Sequence, residues 1–122
     1  MDFYLQSFLD KGWLASLPPH PWVVVERFIR EVADGNIGKI LLLLPTALVA
    51  QLGSPKLEAI FTSNIAEVKG RGGIKEIEIE NEWEDYENAA VDVSMTYGDG
   101  STDNEVILLV KEKSEWKIDL TR

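Results

Sequence analysis

Cysteine is absent from the 122 residues, which excludes disulfides, thiolate nucleophiles and cysteine metal sites. Histidine occurs once, at His20, so the sequence offers no histidine pair or triad for metal or acid–base work. Basic residues are scarce too: 12 Lys and Arg against 21 Asp and Glu leave a formal charge of −9. Without a basic patch the chain suits neither nucleic acid nor an anionic membrane surface. No apolar run approaches the ~20 residues that span a bilayer, so no transmembrane segment is expected. The opening MDFYLQSFLDKG carries Asp2 and Asp10 and no cationic start, a poor secretory signal. A cytoplasmic protein is expected, or an exported one if the start is incomplete.

What is present is ordinary globular material, 45% hydrophobic and 27% charged. At this length the chain buries one core. It divides into an N-terminal amphipathic helix with a Pro-rich linker (1–20) and a single domain (21–122). In the first part Tyr4, Leu5, Phe8 and Leu9 share one helical face. Tyr4 and Phe8 are candidates for a dimer or partner contact. Pro18, Pro19 and Pro21 stiffen the linker around His20, which reads as a solvated residue.

A helix follows, with Trp22, Val25, Phe28, Ile29 and Val32 as its apolar stripe. Asp34-Gly35-Asn36 closes it, Gly35 suiting a left-handed cap. Ile37 to Leu44 reads as a short helix apolar nearly all round, hence buried. Thr46 to Leu52 follows Pro45, and a longer helix opens at Ser54-Pro55, with Ser54 as N-cap. Its apolar repeat Leu57, Ile60, Phe61, Ile65 and Val68 runs to the turn Gly70 to Gly73.

Four strands complete the chain, and side-chain alternation assigns their faces. Ile77, Ile79, Asn81 and Trp83 share one face of the first strand, with Glu76, Glu78, Glu80, Glu82 and Glu84 opposite. Ala89, Val91, Val93, Met95 and Tyr97 continue the apolar face in the second. Asp99-Gly100 reads as a two-residue hairpin turn. It would pair Val93 with Val106, Val91 with Leu108 and Ala89 with Val110. Ile107 and Leu109 then fall on the outer face, which needs covering by the N-terminal helix or a second subunit. Trp116, Ile118 and Leu120 face inward on the last strand if the preceding turn is bulged or three residues long, Lys113 to Glu115. The glutamate row reads as a charge-protected edge, with Lys111, Lys113 and Lys117 in reach to neutralise it.

Helices first and strands after, without alternation, define an α+β layout. VVVERFIREVADGN, GIKEIEIENEWE, NAAVDVSMTYGDGS and NEVILLVKEKSEWKIDL, in that order, resemble the nuclear-transport-factor-2-like (cystatin-like α+β cone) superfamily. Within it they are most similar to a small bacterial group of unknown function often found in exported lipoproteins. The resemblance implies helices packed on the concave face of a strongly curved four-stranded antiparallel meander. It also implies a pocket between that face and the helices, and dimerisation through the convex face. Enzymes of the superfamily place Asp, His or Tyr inside the cone.

The inward side chains expected here include no carboxylate and no histidine along the strand centres. The expected function is therefore a non-catalytic binding or interaction domain, a homodimer through Ile107 and Leu109. A small apolar ligand would sit among Phe28, Asn81, Trp83, Met95, Tyr97 and Trp116. The alternative is an isomerase or cyclase using Asn81, Tyr97 or Asp85. No catalytic residue, metal ligand or cofactor is assigned.

Overall fold

The structure is a computed structural model that describes residues 19–120. The expectation for residues 1–18, Tyr4 and Phe8 included, lies outside the described residues. Among them, no helix is long and apolar enough to cross a membrane.

Among the described residues four helices come first: α1 (Pro21–Asp34), α2 (Ile37–Leu42), α3 (Thr46–Leu52) and α4 (Ser54–Gly70). In α1, Val24, Val25, Ile29 and Val32 are buried as their spacing demands. Gly35 ends it at φ 76°, and the N–H groups of Gly35 and Asn36 donate back to Val32 and Glu31. Trp22, expected in the stripe, is partly exposed. So is Leu42, at 71%: of the apolar run in and after α2, only Ile40 and Leu44 are fully covered. Ser54 is the first helical residue rather than the cap, which falls on Gly53.

Two helix starts are capped from the sheet instead. The Trp22 N–H donates to Glu82 Oε2 at 2.8 Å, and the Thr46 N–H and hydroxyl donate to Glu112. A carboxylate there offsets both the unpaired N–H groups and the helix dipole. Those bonds hold the Glu112 carboxyl below its ordinary range.

The sheet is a meander in the order β1 (Ile74–Glu84), β2 (Asn88–Tyr97), β3 (Thr102–Glu112) and β4 (Glu115–Ile118). Its register departs from the expected one at four places. In β1 the pairing with β2 slips between Ile74 and Glu76 and again between Ile79 and Asn81. Each slip is a bulge that adds a residue, bends the strand and curls the sheet. Beyond the second, the faces exchange: Glu82 and Glu84 sit opposite Val91 and Ala89, while Asn81 and Trp83 point to the convex side. Trp83 is 55% exposed.

The β2–β3 loop is three residues long, not two. The Tyr97 N–H donates to Ser101 O, the Gly100 N–H donates to Tyr97 O, and Gly100 alone has positive φ. This is a type I turn closed by a left-handed glycine. The extra residue pairs Val91 with Ile107 and Ala89 with Leu109. Ile107 and Leu109 therefore face the core, with Leu109 fully buried, and Val106 is the 62%-exposed neighbour. Their expected place on an outer dimer surface is overturned.

The β3–β4 turn is the reverse case. It has two residues, Lys113 and Ser114, both at positive φ, and pairs Lys111 with Trp116 and Leu109 with Ile118. Two opposite departures in loop length cancel, so Trp116 and Ile118 are buried as expected.

The core lies between the concave sheet and the helices, with Val25, Ile40, Leu57 and Phe61 against Val91, Val93, Leu109 and Ile118. Each such side chain contributes about 1.5–3 kcal/mol by leaving water.

Candidate functional site

Five elements each present one face to a cleft between α1, α4 and the sheet. Phe28, Ile29 and Val32 come from α1, and Asn64, Glu67 and Val68 from α4. These are helical neighbours at spacings of three and four. From the sheet come Ile74, Met95 and Tyr97, then Asp103, Glu105 and Ile107 at every second position of β3. The cleft has a volume of about 230 Å³. Phe61 meets the Phe28 ring edge-on at 5.9 Å and 80°, fixing that wall.

The far wall is a polar network. Arg71, in the turn after α4, donates to Asp103 Oδ2 at 2.7 Å and to the Ser101 hydroxyl. Its guanidinium lies 3.7 Å above the Tyr97 ring centre. The Tyr97 hydroxyl donates to Asp103 Oδ2 at 3.1 Å. Burial, and then that hydrogen bond to Asp103, push the Tyr97 phenol up to about 12. The Arg71 hydrogen bonds hold the Asp103 carboxyl below the ordinary carboxylate range. Proton transfer near neutrality wants a group whose pKa lies close to the ambient pH. Both groups are moved away from it.

Three of the six expected pocket residues meet here: Phe28, Met95 and Tyr97. The other three do not. Asn81 is exposed on the convex side, where its Oδ1 accepts the Glu82 N–H, and Trp83 is on that side as well. Trp116 is buried near the other end of β3, flooring a separate groove with Val24, Leu43 and Arg27. Asp85 takes part in the β1–β2 turn, its Oδ1 accepting the N–H groups of Glu87 and Asn88.

The inward carboxylates Asp103 and Glu105 were missed because the hairpin was read one residue short. The apolar Ile107 and Leu109, two and four positions past Glu105, were the signal that this parity faces inward.

Among the described residues, His20, Glu82 and Glu84 bring potential metal ligand atoms within 4.8 Å of one another. His20 Nδ1 stands 4.0 Å from Glu82 Oε1. Glu82 is already occupied capping α1, so the group serves the helix start as it stands.

No family model matches the sequence, and no curated protein matches it either. Among solved structures, the crystal structure of a Campylobacter jejuni protein named an NTF2-like transpeptidase superposes with a TM-score of 0.73. The two are 18% identical, and the match covers 82% of this chain and 97% of that one. The fold is NTF2-like. Helices against the concave side of a curled four-stranded meander are the arrangement that the sequence resemblance implied.

Proposed function

We propose that this NTF2-like chain is a non-catalytic binding domain. It holds a small, largely apolar ligand in the cleft between α1, α4 and the concave sheet, and it dimerises through the convex face. The observation that carries the binding reading is the cleft itself, walled by Phe28, Val68, Met95 and Ile107. Clefts for drug-sized ligands run to roughly 300–1,000 Å³. At about 230 Å³ this one suits a smaller molecule.

The lining argues for holding rather than reacting. Tyr97 and Asp103 are locked to each other and to Arg71. Among the described residues the lining also contains no serine, threonine or lysine, so these offer no such nucleophile for peptidyl transfer of the kind named for the similar structure.

The dimer reading rests on different residues from those the sequence suggested. Trp83 pairs with Ala90, and Ala90 with Leu108, so the three form a row across the convex face. The exposed Val106 lies beside it. Exposed apolar surface of this kind marks interaction sites.

Calorimetric titration with n-hexanol tests the binding reading. Saturable binding is expected in the native chain, and its loss in Val68→Phe, which fills the cleft while the fold is retained. Absence of saturable binding in the native chain contradicts it.

A further inference from the structure

We propose, resting on that binding reading, that the ligand of the cleft is a small organic cation, an apolar body carrying one ammonium group. The walls supply the apolar part: Phe28, Val32, Val68, Met95 and Ile107. The polar part of the lining has a one-sided charge. Among the described residues, Glu67 on α4 and Asp103 and Glu105 on β3 line the cleft, and no lysine, arginine or histidine does.

The three carboxylates are not equivalent. Asp103 is already neutralised, with Arg71 at 2.7 Å and the Tyr97 hydroxyl at 3.1 Å. Arg71 also occupies one face of the Tyr97 ring, so that cation belongs to the wall rather than to the opening. Glu67 and Glu105 are exposed and come from different walls, one helical and one from the sheet. An anionic ligand entering the cleft would bring its charge against both. A neutral one would gain nothing from them. An ammonium group at the mouth, with its hydrocarbon among Phe28, Met95 and Ile107, uses every part of the lining. The amide of Asn64 can accept one of its hydrogens.

Three probes of equal length isolate the charge: n-hexylammonium, n-hexanol and n-hexanoate, titrated calorimetrically into the full chain at low salt. Hexylammonium is expected to bind about tenfold more tightly than hexanol, a difference of about 1.4 kcal/mol. Hexanoate is expected to bind weakest. Added salt should narrow the range, because charges at a solvent-exposed mouth are screened.

Glu67→Gln with Glu105→Gln should abolish the ammonium preference. Both residues are surface groups, so the fold is retained. Glu76→Gln with Glu78→Gln, the same charge change on the outer edge, should leave the preference intact. Equal binding of hexanol and hexylammonium overturns the cation assignment and leaves the binding reading standing. So does a preference that survives the Glu67 and Glu105 changes, since the overall charge would then explain it. Failure of all three probes overturns the binding reading as well.

Discussion

Gly98 and Gly72 pack backbone against backbone, so closely that a Cβ on Gly98 would overlap the Gly72 carbonyl oxygen. The Gly98 N–H donates to Gly73 O at 2.9 Å, and the Asp99 N–H donates to Arg71 O at 2.9 Å. The turn after α4 is thereby docked on the tip of the β2–β3 hairpin, and this contact presents Arg71 to Tyr97 and Asp103.

Gly98 and Gly38 require opposite outcomes from the same substitution. Gly98→Ala should destabilise by about 1–3 kcal/mol, the usual cost of forcing atoms into a packed site. Gly38→Ala, in α2 with nothing within 4 Å of its added methyl, should instead stabilise by about 0.5–1 kcal/mol, through helix propensity. Urea denaturation of both variants checks the pair. A neutral Gly98→Ala would mean the turn is not docked on the hairpin.

Strand register makes a second pair of opposite expectations. Leu109 is buried against Ile118 and Ala89, so Leu109→Ala should cost about 2–5 kcal/mol. Val106, three residues earlier and 62% exposed, should lose no more than about 0.5 kcal/mol on Val106→Ala. The two-residue reading of the β2–β3 loop predicts the reverse order.

Those two loops explain what could and could not be read from the sequence. Helix positions followed from periodicity and from Gly35, Pro45 and Pro55, and the meander order from strand alternation. Alternation carries no information across a bulge, however. A strand written Glu-Ile-Glu-Ile-Glu-Asn-Glu-Trp gives no sign that Glu80 is the added residue. Asp99-Gly100 matches the common two-residue turn, yet Gly98, needed against Gly72, joins the loop and makes it three. Lys113-Ser114 forms the two-residue turn with residue types that rarely take positive φ. Face assignments for Asn81, Trp83, Ile107 and Leu109 failed for these reasons. Phe28, Met95 and Tyr97 lie on elements that no bulge interrupts, and their convergence was legible.

The phenol of Tyr97 should titrate at about 12 rather than 10, measured by phenolate absorbance. Its folded pKa is raised, so the stability it contributes is present below pH 10 and is lost as pH rises through about 12. Asp103→Asn removes both the hydrogen bond and the charge of that carboxylate and should lower the midpoint, while burial and the Glu105 charge still act upward. A midpoint near 10 in the native chain would contradict the Tyr97–Asp103 contact.

Dimerisation through the convex face predicts a mass of twice the 13.7 kDa chain by light scattering. Trp83→Lys with Val106→Lys should return it to the single-chain mass without loss of folding, since both side chains are largely exposed. A native chain that scatters as a monomer throughout contradicts the dimer. So does a dimer that survives both lysines.

The binding reading is tested most directly at Met95, a buried cleft residue in a chain with only one other methionine, Met1. With ¹³C-methyl-labelled methionine, titration with n-hexanol should shift the Met95 methyl signal saturably. The same titration of Val68→Phe should leave it in place. A Met95 signal that stays fixed in the native chain, or drifts without saturating, would contradict a ligand site between α1, α4 and the concave sheet.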